Sequence, residues 1–157
     1  MFSPRSMTKF RDDLFNRNHK RNAQNTEQFS YNCGGYALGT FSWYLPSYSD
    51  TVWGIFRHYN EDQMAEITEE AVEIMLHDFP DLRLISDLRQ VQKDEYAIAF
   101  RVSSDGDFHY ARQDYYKKWS YKRGSTAICK ITQRYVFRND WHGRYNGPLI
   151  LFAKKRG

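Results

Sequence analysis

The pattern of apolar and polar positions divides the chain into three stretches. Residues 1–30 are polar, rich in Asn and without a sustained period, which predicts an irregular arm. A first buried helix is expected to start at Cys33 and run towards Tyr44, stopped before Pro46. Its apolar residues Tyr36, Ala37, Phe41 and Tyr44 fall at helical spacing, whereas Gly34 and Gly35 in its first turn are poor helix formers. Close approach of another chain or a substrate would explain them. The clearest helix follows Asn60, which can cap it, with Gln63 completing a capping box and Glu61 and Asp62 at the positive end of the dipole. Met64, Ile67, Ala71, Ile74 and Met75 form one stripe on it, read as core packing, and Phe79-Pro80 ends it.

From about residue 82 the period changes to that of strands. Tyr96-Ala97-Ile98-Ala99-Phe100-Arg101-Val102 is an apolar run, and Asp105-Gly106 is hairpin chemistry. The return strand runs from Asp107 to Gln113 and carries His109. A turn near Tyr115–Lys118 leads into Trp119-Ser120-Tyr121-Lys122, and two more β runs cover Ala127–Tyr135 and Leu149–Ala153. The order predicts an α+β domain over residues 31–157, with N-terminal helices packed on an antiparallel meander.

Composition narrows the function classes. Aromatic residues make up 17% of the chain and charged ones 27%, which suits an ordered β-rich fold with exposed rings. The net charge of +4 is uneven, with Arg5, Lys9, Arg11, Arg17, Lys20 and Arg21 crowded into the N-terminal arm. Such an arm could attract nucleic acid, an anionic surface or an acidic partner, although a solvated terminus is the commoner meaning. Two cysteines make no disulfide scaffold and no metal-ligand spacing, and no Gly-rich phosphate loop follows a strand, so neither a metal nor a cofactor is expected. No apolar run approaches membrane-spanning length, and the N-terminus lacks a signal-peptide core. A cytoplasmic protein without membrane contact is expected.

Cys33 is the residue with the most chemistry in reach. A helix start and a nearby imidazolium both stabilise a thiolate, and backbone N–H groups there can bind an oxyanion. Taken alone, a Cys beside glycines is more often a small buried hydrophobe. Of the five histidines, His19, His58, His77, His109 and His142, only His109 follows a hairpin turn on a strand, where a rigid sheet can hold its ring. Cys129, in Ala127-Ile128-Cys129-Lys130-Ile131, reads as a packed residue, with a disulfide to Cys33 left open. Arg112, Gln113, Trp119 and Lys122 read as an exposed strand ladder or as a substrate-binding rim.

The segment Asn32-Cys33-Gly34-Gly35-Tyr36-Ala37 resembles the nucleophile motif of papain-like cysteine hydrolases of the NlpC/P60 and CHAP type. Asp107-Phe108-His109-Tyr110-Ala111-Arg112-Gln113-Asp114, followed by Trp119-Ser120-Tyr121-Lys122, is similar to a block in phage, viral and bacterial proteins of that superfamily. The resemblance implies a papain-like core, a nucleophile at Cys33, a base at His109 and a third polar residue behind the imidazole. Tyr121 stands where that orienting residue, a His in the family, would be, and it carries no charge; Gln113, Asp114 and Asn139 are the other candidates. Asn32, Gly34, Gln113 and Trp119 would contact substrate. Two functions are consistent with this. One is a peptidase or amidase working through a thioester on a peptide or amide substrate, in the cytoplasm or, if viral, the host cytoplasm. The other is a catalytically impaired papain-like domain that binds or inhibits a host protein or binds nucleic acid.

Overall fold

In the computed structural model, residues 31–46, 58–123 and 127–157 are described. The N-terminal arm expected at 1–30 lies outside them. The elements are α1 (Cys33–Leu38), α2 (Glu61–Asp78), β1 (Leu82–Ile85), a 3-10 turn (Leu88–Gln90), β2 (Glu95–Val102), β3 (Phe108–Tyr115), β4 (Lys118–Lys122), β5 (Ile128–Thr132), α3 (Gln133–Val136) and β6 (Ile150–Lys155). The six strands form one antiparallel sheet in the order β1-β6-β2-β3-β4-β5. The α+β class is as the residue pattern predicts. A simple meander holds only from β2 to β5, because β6 returns to fill the position between β1 and β2.

The long helix forms for the reasons its sequence announces. Asn60 accepts from the Gln63 amide and Gln63 answers at the Asn60 amide, so both orphan donors are satisfied. Its stripe of Met64, Ile67, Ala71, Ile74 and Met75 is buried. α1 is shorter than its apolar spacing suggests. Gly39 takes the left-handed conformation at φ 74° and its N–H bonds back to the Gly35 and Tyr36 carbonyls, which closes the helix at Leu38. Phe41, expected on the same helix, then sits beyond the cap with φ 52°.

The central strands β2 and β3 are buried on both faces, because the middle of the sheet is covered on both sides, whereas the edge strands β1 and β5 are partly exposed. One face (called here the helix face) meets α1 and α2 through Ile98, Phe100, Val102, Tyr110 and Phe152. The other (the loop face) is lined by Ala97, Ala99, Ala111 and Ala153, whose small side chains leave room for Trp119 and Trp141. α3 and the loop 141–145 close that side. The loop is a tight turn in which Trp141 and Tyr145 exchange both backbone hydrogen bonds at 3.0 Å.

The two glycines of α1 are required by the chain's own segment 42–44. A methyl group on Gly35 would overlap the Ser42 carbonyl oxygen, and one on Gly34 would lie 3.0 Å from the Tyr44 carbonyl oxygen and 3.2 Å from the Tyr110 ring. The close approach is intramolecular. Gly35→Ala should therefore cost about 2 kcal/mol or more of unfolding free energy through overpacking. Gly143, at φ 63° with open space around it, should lose only about 1 kcal/mol on the same change. Urea denaturation of the two variants checks this, and equal losses would remove the packing argument.

Candidate functional site

A cleft of about 770 Å³ opens where β3 begins. Its lining comes from four places: Asn32 and Cys33 at the start of α1, Trp43 to Leu45 beyond it, Asp107 to Tyr110 with Arg144 and Tyr145 across the sheet end, and Arg123 just past β4 with Cys129 on β5. Trp43 and Leu45 form an apolar rim, 55% and 43% exposed.

Asn32 holds one wall together. Its side-chain oxygen accepts from the Gly35 amide at 3.0 Å and the Tyr44 amide at 3.1 Å, and its Nδ2 donates to the Tyr44 carbonyl at 2.8 Å. The side chain thus caps α1 and clamps the rim segment at once, which is a structural use of a residue expected to meet substrate. Gly34, the next residue expected there, faces the Tyr44 carbonyl and the Tyr110 ring.

Cys33 opens α1 as expected, but it is only 7% exposed. Its Sγ lies 3.8 Å from the Phe108 carbonyl oxygen, to which the thiol donates. Burial pushes the thiol up to about 12, with Asp107 adding to the rise and backbone donors opposing it. At neutral pH the sulfur is a protonated thiol.

His109 lies on β3 and projects to the other side of the sheet. Successive strand residues alternate faces. Tyr110 packs on the helix face with Cys33, so His109 belongs to the loop face. The ring contacts agree: the imidazole centroid is 4.9 Å from Tyr145 in a stacked arrangement, 5.1 Å from Tyr121, 5.5 Å from His142 and 5.9 Å from Trp141. Tyr121, Trp141 and Tyr145 are all loop-face residues. His109 is 4% exposed, and its Nε2 has no hydrogen-bond partner. Burial first, then the charges of His142, Arg123 and Arg144, push the imidazole down to about 3. Cys33 and His109 therefore share the cleft but face opposite sides of the sheet, and no hydrogen bond joins them.

The residues expected to support the pair are divided in the same way. Tyr121 does meet His109, edge to face, through its ring and without a hydrogen bond. Asp114 is buried on the helix face, where it accepts from Ser120 Oγ at 2.9 Å and lies 3.5 Å from Arg112 Nε. Neither Gln113 nor Asn139 hydrogen-bonds to the imidazole. Trp119, 1% exposed, is core, and its Nε1 donates to Gln133 Oε1 at 3.2 Å. Arg112 and Lys122 are buried too: Arg112 lies against the Tyr36 and Tyr96 rings and Lys122 donates to the Tyr31 carbonyl at 2.8 Å. The exposed ladder expected of these residues is a buried polar layer under α1. Cys129 is a free thiol on β5, opposite Tyr121, and it lines the cleft.

The loop 141–145 contributes groups that spacing along the chain did not single out. Arg144 Nη2 pairs with Asp105 at 2.8 Å and Asp107 at 3.1 Å, and the Tyr145 hydroxyl donates to Asp107 Oδ2 at 3.0 Å. His142 sits at φ 59°, its amide donating to the Tyr135 hydroxyl at 2.8 Å. Their only signal in the sequence was the cluster of rings and charges in Asp140-Trp141-His142-Gly143-Arg144-Tyr145. Among the described residues no group of three His, Cys, Asp or Glu side chains could hold a metal ion, and no helix is long and apolar enough to cross a membrane. No family model matches the chain, and comparisons with curated proteins and with solved structures give no match either.

The His109 environment has a measurable consequence. A folded pKa below the unfolded value of about 6.5 means that the unfolded chain binds the extra proton first. The contribution is fully present above pH 6.5 and is lost as pH falls towards 3. Each pH unit inside that window costs about 1.4 kcal/mol. Urea melts from pH 7 to pH 5 should show this slope, and His109→Phe should flatten it. An imidazole resonance titrating near pH 6.5 in the folded protein would contradict the assignment.

Proposed function

We propose that the chain is a binding domain that takes an extended protein segment in the cleft beside α1, on a helix-and-sheet arrangement of papain-like type whose Cys–His chemistry does not operate. One observation carries this reading: the thiol of Cys33 and the imidazole of His109 are buried on opposite faces of the same sheet. A general base must come within hydrogen-bond reach of the proton it takes. Here the two side chains leave the end of the sheet on opposite faces, and no hydrogen bond joins them. Both are also in the wrong protonation economy for an ion pair, the thiol held neutral by its high pKa and the imidazole by its low one.

What the cleft offers instead is recognition surface. Trp43 and Leu45 supply an exposed apolar rim, and Asn32 fixes that rim rigidly to α1. Rigid aromatic anchors of this kind give large contact area at small entropic cost. A protein segment suits this apolar rim, and Arg144, one of the two arginines lining the cleft, is already bound to Asp105 and Asp107 and is not free to meet a phosphate backbone.

The hydrolase reading keeps one observation in its favour, that Cys33 and His109 line a single cleft. Labelling separates the two. With a thiol near 12 in place of the usual 9, the thiolate fraction at neutral pH drops roughly a thousandfold, so Cys33 should react with iodoacetamide far more slowly than free cysteine. Peptides selected from a random display library should bind wild type and Cys33→Ala alike and bind Trp43→Ala about tenfold more weakly or worse. Fast labelling of Cys33, together with turnover of a peptide or amide substrate that Cys33→Ala abolishes, would restore the hydrolase.

A further inference from the structure

The loop face holds a buried cation that no carboxylate among the described residues pairs with. Arg101 lies near the end of β2, 5% exposed, in a run that is otherwise apolar. Its guanidinium stacks over Trp141 at 5.1 Å from the ring centroid, yet its Nε and Nη1 have no hydrogen-bond partner. Among the described residues no carboxylate pairs with it, and Asp140 acts on it only at longer range. A guanidinium held out of water without an acceptor is costly, and native structures rarely leave one so.

The residue directly across the ladder is in the same condition. Arg101 and His109 are Cα partners in the β2–β3 pairing, so their side chains leave the sheet side by side on one face. His109 Nε2 is likewise buried without a hydrogen-bond partner. Two unsatisfied polar groups therefore stand next to each other, walled by Trp141 and Tyr145. His109 also lines the cleft, which connects the pair to the protein's open side.

We propose that Arg101 and His109 form a binding site for a small carboxylate, with the Arg101 guanidinium as donor and counter-charge and His109 Nε2–H as the second donor. The guanidinium accepts a planar anion in its own plane while its face stays on the indole. One buried cation beside a neutral imidazole balances one negative charge, which favours a carboxylate over a phosphate dianion. The proposal rests on Arg101, which does not line the cleft, and stands whether or not that cleft takes a protein segment.

Acetate is the probe, titrated against sodium chloride at equal ionic strength. The Arg101 Nε–H and His109 ring resonances should shift saturably with acetate, at an apparent Kd of about 1 mM, and chloride should leave them in place. Arg101→Met should abolish the His109 response and, by replacing an unpaired buried charge with an apolar side chain, raise the melting temperature in chloride. Arg101→Lys should keep the charge but weaken binding about tenfold. Identical shifts with acetate and chloride would overturn the proposal, as would a response to phosphate alone. A His109 response that survives in Arg101→Met would overturn it too.

Discussion

Strand β3 is buried on both sides, and that constraint organises the rest of the molecule. A strand has a strict period of two, so a sheet with one wet face sorts its residues into apolar and polar. When both faces are covered, every polar side chain on the strand must find a partner within the protein or remain unsatisfied. Tyr110 and Arg112 go under the helices, His109 and Ala111 under the loop. On the helix face, Arg112 has Asp114 and two rings, Ser120 has Asp114 and Tyr36, and Lys122 has the Tyr31 carbonyl. On the loop face, Arg101 and His109 have ring contacts, and no carboxylate among the described residues pairs with Arg101.

The same constraint separates what the residue pattern could reveal from what it could not. The capping box at Asn60 and the stripe of α2 are local, set by neighbours three and four residues apart, and the structure matches them. The Asp105-Gly106 turn and the position of His109 on the returning strand are local as well, and the left-handed Gly106 stands in place. Tyr121 was legible through the resemblance, as the position of the family's orienting residue, and its ring does lie against His109. Which face His109 takes was not legible. It depends on where α1 docks, and a run with apolar residues on both faces holds no alternation to read. Lys122 and Arg112 misled for the same reason: charged residues in strands usually point to water, and here a layer of tyrosines above them removes the water. The end of α1 was masked by Phe41, whose helical spacing continues past a cap formed by Gly39.

Asn32 shows how a residue beside a candidate nucleophile can matter through architecture. Three hydrogen bonds from one amide tie the first turn of α1 to the segment that carries Trp43. The rim of the cleft and the helix beneath it consequently behave as one piece. Force on the aromatic rim is carried directly into the helix start, and Gly35 makes this attachment close enough to work.

The position of β6 has a consequence for how the molecule is made. This strand is the latest in the chain, yet it lies inside the sheet, pairing with β2 on one side and β1 on the other. Until residue 155 has left the ribosome, β1 has no partner and β2 presents an open edge. The nascent chain must therefore carry an unpaired apolar strand while the residues between β2 and β6 are made, a state prone to association with other chains. Completion of the sheet waits for β6, and the pairing that completes it spans long separations in the sequence, which slows it further.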